Sequence, residues 1–260
     1  MLGPEVPLHW PLLPSILIGV AILTTAYLAA LTRWRGHFPR SAPVPKTRAA
    51  AFLLAMATIL VALQTPIADL SDNYLFSAHM VEHLLVTLVM PPLLLAGLPG
   101  WLVRPLVASS PGLRRAGRIL THPLVAFGLF NGIFVIYHAP VFYNSTLGSQ
   151  YVHAFAHLIF MLTAFLAWWP VLSPLAELPP LTPPLQLPYL FAQTLPSQAL
   201  GAYFTFADRP VYPLYAEAPR VWRAITPPID RQLGGLIMWV LGGTYFLGAF
   251  AIVFLRWVAA

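Results

Sequence analysis

Seven uninterrupted apolar runs, near residues 12–32, 49–66, 74–96, 122–139, 151–171, 185–206 and 232–256, constrain this chain more than any other feature. A bilayer core is crossed by about 20 helical residues, with a range of roughly 17–25. The runs are continuous and do not alternate, so they read as helices and not as strands of a barrel. A helix satisfies its own backbone, which lipid cannot do. The chain is 58% hydrophobic and only 8% charged, against about 25% charged in a soluble domain. That leaves too few charges to cover a water-facing surface. The expected fold is all-α: one transmembrane domain over residues 1–260, a bundle of seven transmembrane helices embedded in a lipid bilayer.

Loop charges set the expected orientation. Segment 33–48 holds Arg33, Arg35, Arg40, Lys46 and Arg48, and segment 97–121 holds Arg104, Arg114, Arg115 and Arg118. Loops 67–73 and 140–150 hold no Lys or Arg, and the first carries Asp69 and Asp72. By the positive-inside rule the basic segments are cytoplasmic and the N-terminus lies outside. Loop 207–231 fits less well, because it must be external yet carries four arginines. It also holds Tyr212, Tyr215 and Trp222, and either caps a site, docks a partner or forms a plain interfacial aromatic belt. The start, MLGPEVPLHWP, has no basic stretch ahead of the first run, which is therefore expected to be a retained span. The net charge of +6 follows from loop topology, and no basic face interleaved with aromatics points to nucleic acid.

Prolines punctuate the spans. Pro91 and Pro92 in the third and Pro196 in the sixth should bend their helices and free carbonyls that neighbouring helices must satisfy. Gly234, Gly235, Gly242 and Gly243 in the seventh should allow close helix approach.

The histidines carry the chemistry. His79, His83, His138, His153 and His157 all fall in the outer part of their spans. His79/His83 and His153/His157 are i, i+4 pairs, which puts both imidazoles of each pair on one helix face. Chance gives about a quarter of one such pair in a chain of this composition. Imidazole is also costly in hydrocarbon unless paired or functional. Glu82 is the only Asp, Glu, Lys or Arg in the seven runs short of Arg256 at the last run's inner end. It shares a face with His79, where it can ligate a metal, orient a ligand histidine or act as a base.

His79 to His83 read HMVEH, the H-x-x-E-H pattern of the inverted zinc peptidases. Hydrolysis needs three protein ligands and an open position for water. Two histidine pairs would instead fill a tetrahedral site, which binds metal without activating water, so no catalytic residue is assigned and no enzyme activity is expected. Imidazole suits copper, zinc and iron alike. Met161, at i+4 from His157, lies on the same face and tilts the choice toward copper. Haem bound between one histidine of each pair would leave the partners unexplained. The absence of cysteine removes thiolate sites.

Taken in order, HMVEHLLVTLVMPPLLLAGLP, THPLVAF, YHAPVFYN, HAFAHLIFMLTAFLAWWPVL and IDRQLGGLIMW resemble the seven-span CtaG family of cytochrome c oxidase assembly proteins. The resemblance implies a protein of the bacterial inner membrane that helps mature the oxidase. It would handle copper in company with oxidase subunits or other copper-handling assembly factors. His79, His83, His153 and His157 are the expected metal ligands, with Glu82 and His138 beside them. The resemblance also draws attention to Asp230 and Gln232 at the start of the last span, with Arg231 set to pair with Asp230. Zinc and haem remain the alternative cofactors.

Overall fold

The structure is a computed structural model and describes residues 6–147 and 150–259. Fourteen helices lie among the described residues: α1 (Pro14–Leu31), α2 (Lys46–Gln64), α3 (Pro66–Asn73), α4 (Phe76–Leu84), α5 (Met90–Gly97), α6 (Gly100–Ala108), α7 (Pro111–Leu120), α8 (Pro123–Tyr137), α9 (Pro140–Leu147), α10 (Gln150–Leu172), α11 (Pro183–Phe206), α12 (Pro213–Glu217), α13 (Pro227–Leu236) and α14 (Gly242–Val258). Many of them open on proline. At the first turn a missing N–H breaks no helical bond, and the fixed φ already suits the helix. The abundance of proline is thus compatible with a nearly all-helical chain.

Five helical stretches are long and apolar enough to cross a membrane: Pro14–Leu31, Lys46–Gln64, Phe76–Gly97, Tyr151–Leu172 and Pro227–Val258. They match the first, second, third, fifth and seventh runs. A sixth is gained if α7 and α8, bent by 64° at their junction, count as one span. The fourth run is short because α8 has only 15 residues, about 22 Å of helix. The sixth run forms α11, whose 24 residues reach about 36 Å but fall short of the apolarity of the others. Its polar groups turn inward. Gln193 Oε1 accepts from Asn131 Nδ2 of α8 at 2.6 Å, and Gln193 Nε2 donates to Tyr189 Oη at 2.8 Å. Tyr189 in turn donates to the Ala167 carbonyl of α10 at 2.7 Å. Leu17, Ile18 and Ile22 of α1, Phe191 and Leu195 of α11, and Leu247 and Ile252 of α14 stay exposed. So much outward apolar surface supports a membrane protein.

Two π-helical turns interrupt the long spans, Leu85–Val89 between α4 and α5 and Ile237–Leu241 between α13 and α14. The first precedes Pro91, whose missing N–H would have met the Thr87 carbonyl. Trp168 Nε1 of α10 donates to that carbonyl at 3.2 Å, as expected of a freed carbonyl in a membrane helix. The glycines pack as expected too. A Cβ on Gly235 would lie 2.4 Å from Thr205 Oγ1 and 2.6 Å from the Thr205 backbone nitrogen. The α11 and α13 backbones therefore meet almost directly.

The loops sort to two ends. At one end His9 N donates to Asp69 Oδ2 at 2.7 Å, Leu13 N donates to Gln64 Oε1 at 3.0 Å, and Tyr215 Oη of segment 207–226 donates to the Ser71 carbonyl at 2.8 Å. At the other, Arg104 pairs with Glu177 at 2.6 Å and Phe38 packs on Trp101. The histidines lie just below the first end.

Candidate metal centre

Four elements converge on the centre. α4 carries His79, Glu82 and His83, α10 carries His153 and His157, His138 closes α8, and α3 brings Ser71 and Asp72. The helical spacing stacks each pair, with ring centres 4.2 Å apart for His79/His83 and 4.4 Å apart for His153/His157. Glu82 and His79 are fully buried, and His83, His138 and His157 nearly so. Glu82 Oε1 lies 2.5 Å from His157 Nε2, and Asp72 Oδ1 lies 3.0 Å from His153 Nε2. One ligand-type atom each from Glu82, His153 and His157 falls within 4.8 Å of the others. Donors bound at about 2.0–2.2 Å to one tetrahedral metal lie about 3.4 Å apart, so a metal would part the Glu82–His157 contact and draw His153 in. Side-chain exposure falls from 40% at Asp72 through 15% at His153 and 8% at His157 to 1% at Glu82. Of these groups Asp72 lies nearest the surface and Glu82 deepest.

At these distances Glu82 pairs with His157 and Asp72 with His153. Both nitrogens of His83, and Nε2 of His79 and of His138, are buried without a hydrogen-bond partner. A buried polar atom left unpaired costs about 1–3 kcal/mol, and a buried carboxylate costs more. Buried imidazole nitrogens without hydrogen-bond partners, beside a buried carboxylate, are the donors a metal-binding set offers.

Surrounding groups fix these side chains. His138 Nδ1 lies 2.7 Å from the Phe134 carbonyl. A carbonyl can only accept, so Nδ1 carries the proton and Nε2 keeps the lone pair. His79 Nδ1 faces Ser71 Oγ at 3.3 Å. Tyr212 Oη donates to the His138 carbonyl at 2.7 Å, and the Tyr143 and Tyr215 hydroxyls pair with each other. Burial raises the Tyr212 and Tyr215 hydroxyls above the usual tyrosine range, so both act here as neutral donors. Segment 207–226 therefore caps the centre with Tyr212 and Tyr215, one of the roles expected of it.

Residues 25–260 match the family model of the cytochrome c oxidase caa3 assembly factor, Caa3_CtaG. The chain belongs to this family. An uncharacterized protein of Mycobacterium leprae is 26% identical over 187 residues, covering 64% of this chain and 27% of its own length. Uncharacterized proteins of Mycobacterium bovis and Mycobacterium tuberculosis are each 28% identical over 191 residues, with the same coverage. The chain spans about a quarter of the length of these relatives. No solved structure matches.

In this family member the structure brings together His79, Glu82, His83, His138, His153 and His157. It leaves two candidates elsewhere. Met161 packs against an apolar cluster that includes Val86 and Met90 of the third span together with residues of α1 and α2. Asp230, 1% exposed, faces the start of α4, not the imidazoles. It accepts from Phe76 N at 2.8 Å, Ser77 N at 3.0 Å and Ser77 Oγ at 2.5 Å. The expected pairing with Arg231 is replaced by this cap, and Arg231 Nη1 donates to the Arg209 carbonyl at 3.0 Å. Sequence reasoning did not place Asp72, Ser71 or Tyr143 at the centre. The one available signal was the pair of acids in a loop without bases.

Proposed function

We propose that this assembly factor binds copper as cargo through Glu82, His153 and His157, with Asp72 at the mouth, and passes it toward cytochrome c oxidase. The observation that carries this reading is the buried cluster of Glu82, His153 and His157, whose ligand-type atoms lie within 4.8 Å of one another. Imidazole and carboxylate fit Cu(II) and Zn(II) equally, and the assembly role favours copper. Haem is disfavoured by space. The cavity beside His83 is about 30 Å³, whereas pockets for bound cofactors run to about 300–1,000 Å³. A peptidase reading is disfavoured because Glu82 is fully buried against His157, so the role proposed is binding without catalysis. The partners proposed are oxidase subunits or other copper-handling assembly factors. The membrane proposed is the bacterial inner membrane.

The proposed topology is seven passes with the N-terminus outside. Its support is the sorting of loops to two ends. The N-terminal segment, α3, α9 and segment 207–226 share one end, and the basic segments share the other with loop 173–182. Only an odd number of passes, with α8 and α11 among them, gives that arrangement. The test of the copper reading is metal analysis of detergent-purified protein after gel filtration. Retained copper, reduced in Glu82→Gln and lost in His153→Ala/His157→Ala, supports it. Loaded wild type that holds no copper overturns it.

A further inference from the structure

The unpartnered imidazoles lie beyond Glu82, His153 and His157. His83 lies between two groups, its ring centre 5.8 Å from His157 on one side and 4.2 Å from His79 and 5.7 Å from His138 on the other. It is 3% exposed, and neither of its nitrogens has a hydrogen-bond partner. An imidazole has two nitrogens, and packing alone gives no reason to bury both unpaired. His79 offers Nε2, since its Nδ1 faces Ser71. His138 offers an Nε2 whose lone pair is set by the Phe134 carbonyl. The hydroxyls of Tyr212 and Tyr215 are directed at the His138 and Ser71 carbonyls and not at these nitrogens.

We propose a second, inner metal position formed by His79, His83 and His138. It adjoins the outer position, with His83 as the ligand shared between them. This inference rests on the metal reading of the outer trio. Among the described residues, only the outer trio brings its ligand atoms within 4.8 Å, so the wider inner position is the weaker of the two. The charges differ as well. Glu82 offsets one charge of an ion at the outer position, while three neutral imidazoles offset none. In a low-dielectric interior an uncompensated divalent ion costs far more than a monovalent one. The inner position therefore suits the cuprous ion, for which imidazole is an adequate ligand. Movement between the positions is ligand exchange. For a copper that is cuprous at both positions, bonds to Glu82, His153 and His157 break, bonds to His79 and His138 form, the shared ligand His83 stays bound, and no electron is transferred.

The test is anaerobic equilibrium dialysis of the full chain in detergent against the cuprous ion supplied as its acetonitrile complex. Wild type should bind two equivalents, the second at least tenfold weaker. His138→Ala and His79→Ala should each bind one equivalent with the tight affinity unchanged. His153→Ala/His157→Ala should keep only the weak one. Wild type that saturates at one equivalent overturns the inner position and leaves the outer reading intact, and binding of none overturns both. A folded His138→Ala, judged by circular dichroism, that still binds two equivalents also overturns it. The wild-type stoichiometry decides the matter even where a variant fails to fold.

Discussion

Asp230→Ala should destabilise the protein and loosen its centre together. The carboxylate accepts three hydrogen bonds, from Phe76 N, Ser77 N and Ser77 Oγ, and is buried. It acts as an N-cap for α4 delivered from α13, beside a helix N-terminus whose partial positive charge favours an anion. At about 1 kcal/mol net for each accepted bond, its loss costs about 3 kcal/mol, or roughly two decades in the unfolding equilibrium. The Phe76 and Ser77 N–H groups are left without their acceptor, which keeps the figure from shrinking. Asp230→Asn retains one acceptor oxygen and should lose about half as much. The assay is unfolding of the full chain in mixed micelles as the denaturing detergent fraction is raised, followed by circular dichroism. Copper affinity is the second readout, because fraying of α4 displaces His79 in its first turn. An Asp230→Ala protein within about 0.5 kcal/mol of wild type, the usual range for an inert surface change, would refute the capping argument. Loss of copper at unchanged stability would instead mark Asp230 as a ligand.

Three further outcomes follow from the packing and the charges. Trp168→Phe should cost about 1–3 kcal/mol in the same unfolding assay, since it leaves the Thr87 carbonyl without the partner that replaced Pro91. Gly235→Leu should be worse than Gly235→Ala, and both should destabilise, because even a Cβ meets Thr205 at 2.4 Å. Overpacking of this kind costs about 1–3 kcal/mol, and equal stability of wild type and Gly235→Leu would show that α11 and α13 do not meet there. Arg104 holds the Glu177 carboxyl below the usual carboxylate range. A depressed folded pKa gives stability that is present above the unfolded value and lost as pH falls through the folded one. The stability difference between wild type and Glu177→Gln should therefore be present near neutral pH, small because the pair is exposed, and vanish in acid when thermal unfolding is followed against pH.

Much of the centre was legible because helical spacing is a local property. The i, i+4 repeats of His79/His83 and His153/His157 fix their faces without reference to the rest of the chain, and Glu82 needs a partner wherever it lies in an apolar span. The carbonyl freed by Pro91 was equally readable, though the sequence alone could not say that Trp168 would answer it. The capping of α4 by Asp230 was not legible, because the two are 154 positions apart and no local pattern links them. Asp72 was hidden for the same reason: its approach to His153 depends on how α3 docks beside α10. Met161 misled because periodicity placed it on the histidine face, but a helix packed on two sides presents successive turns to different neighbours. The fourth and sixth runs differ from expectation in related ways. The bend at Thr121–His122 and the inward glutamines of α11 reflect tertiary packing, which hydropathy averages away.

The most direct test of the central claim is copper content with an optical spectrum, measured on purified wild type beside His153→Ala/His157→Ala. The account predicts tightly held copper in wild type, no haem absorption, and loss of the tight equivalent in the variant with helical content retained. Wild type that takes up no copper after loading, or that carries a haem band, would contradict it.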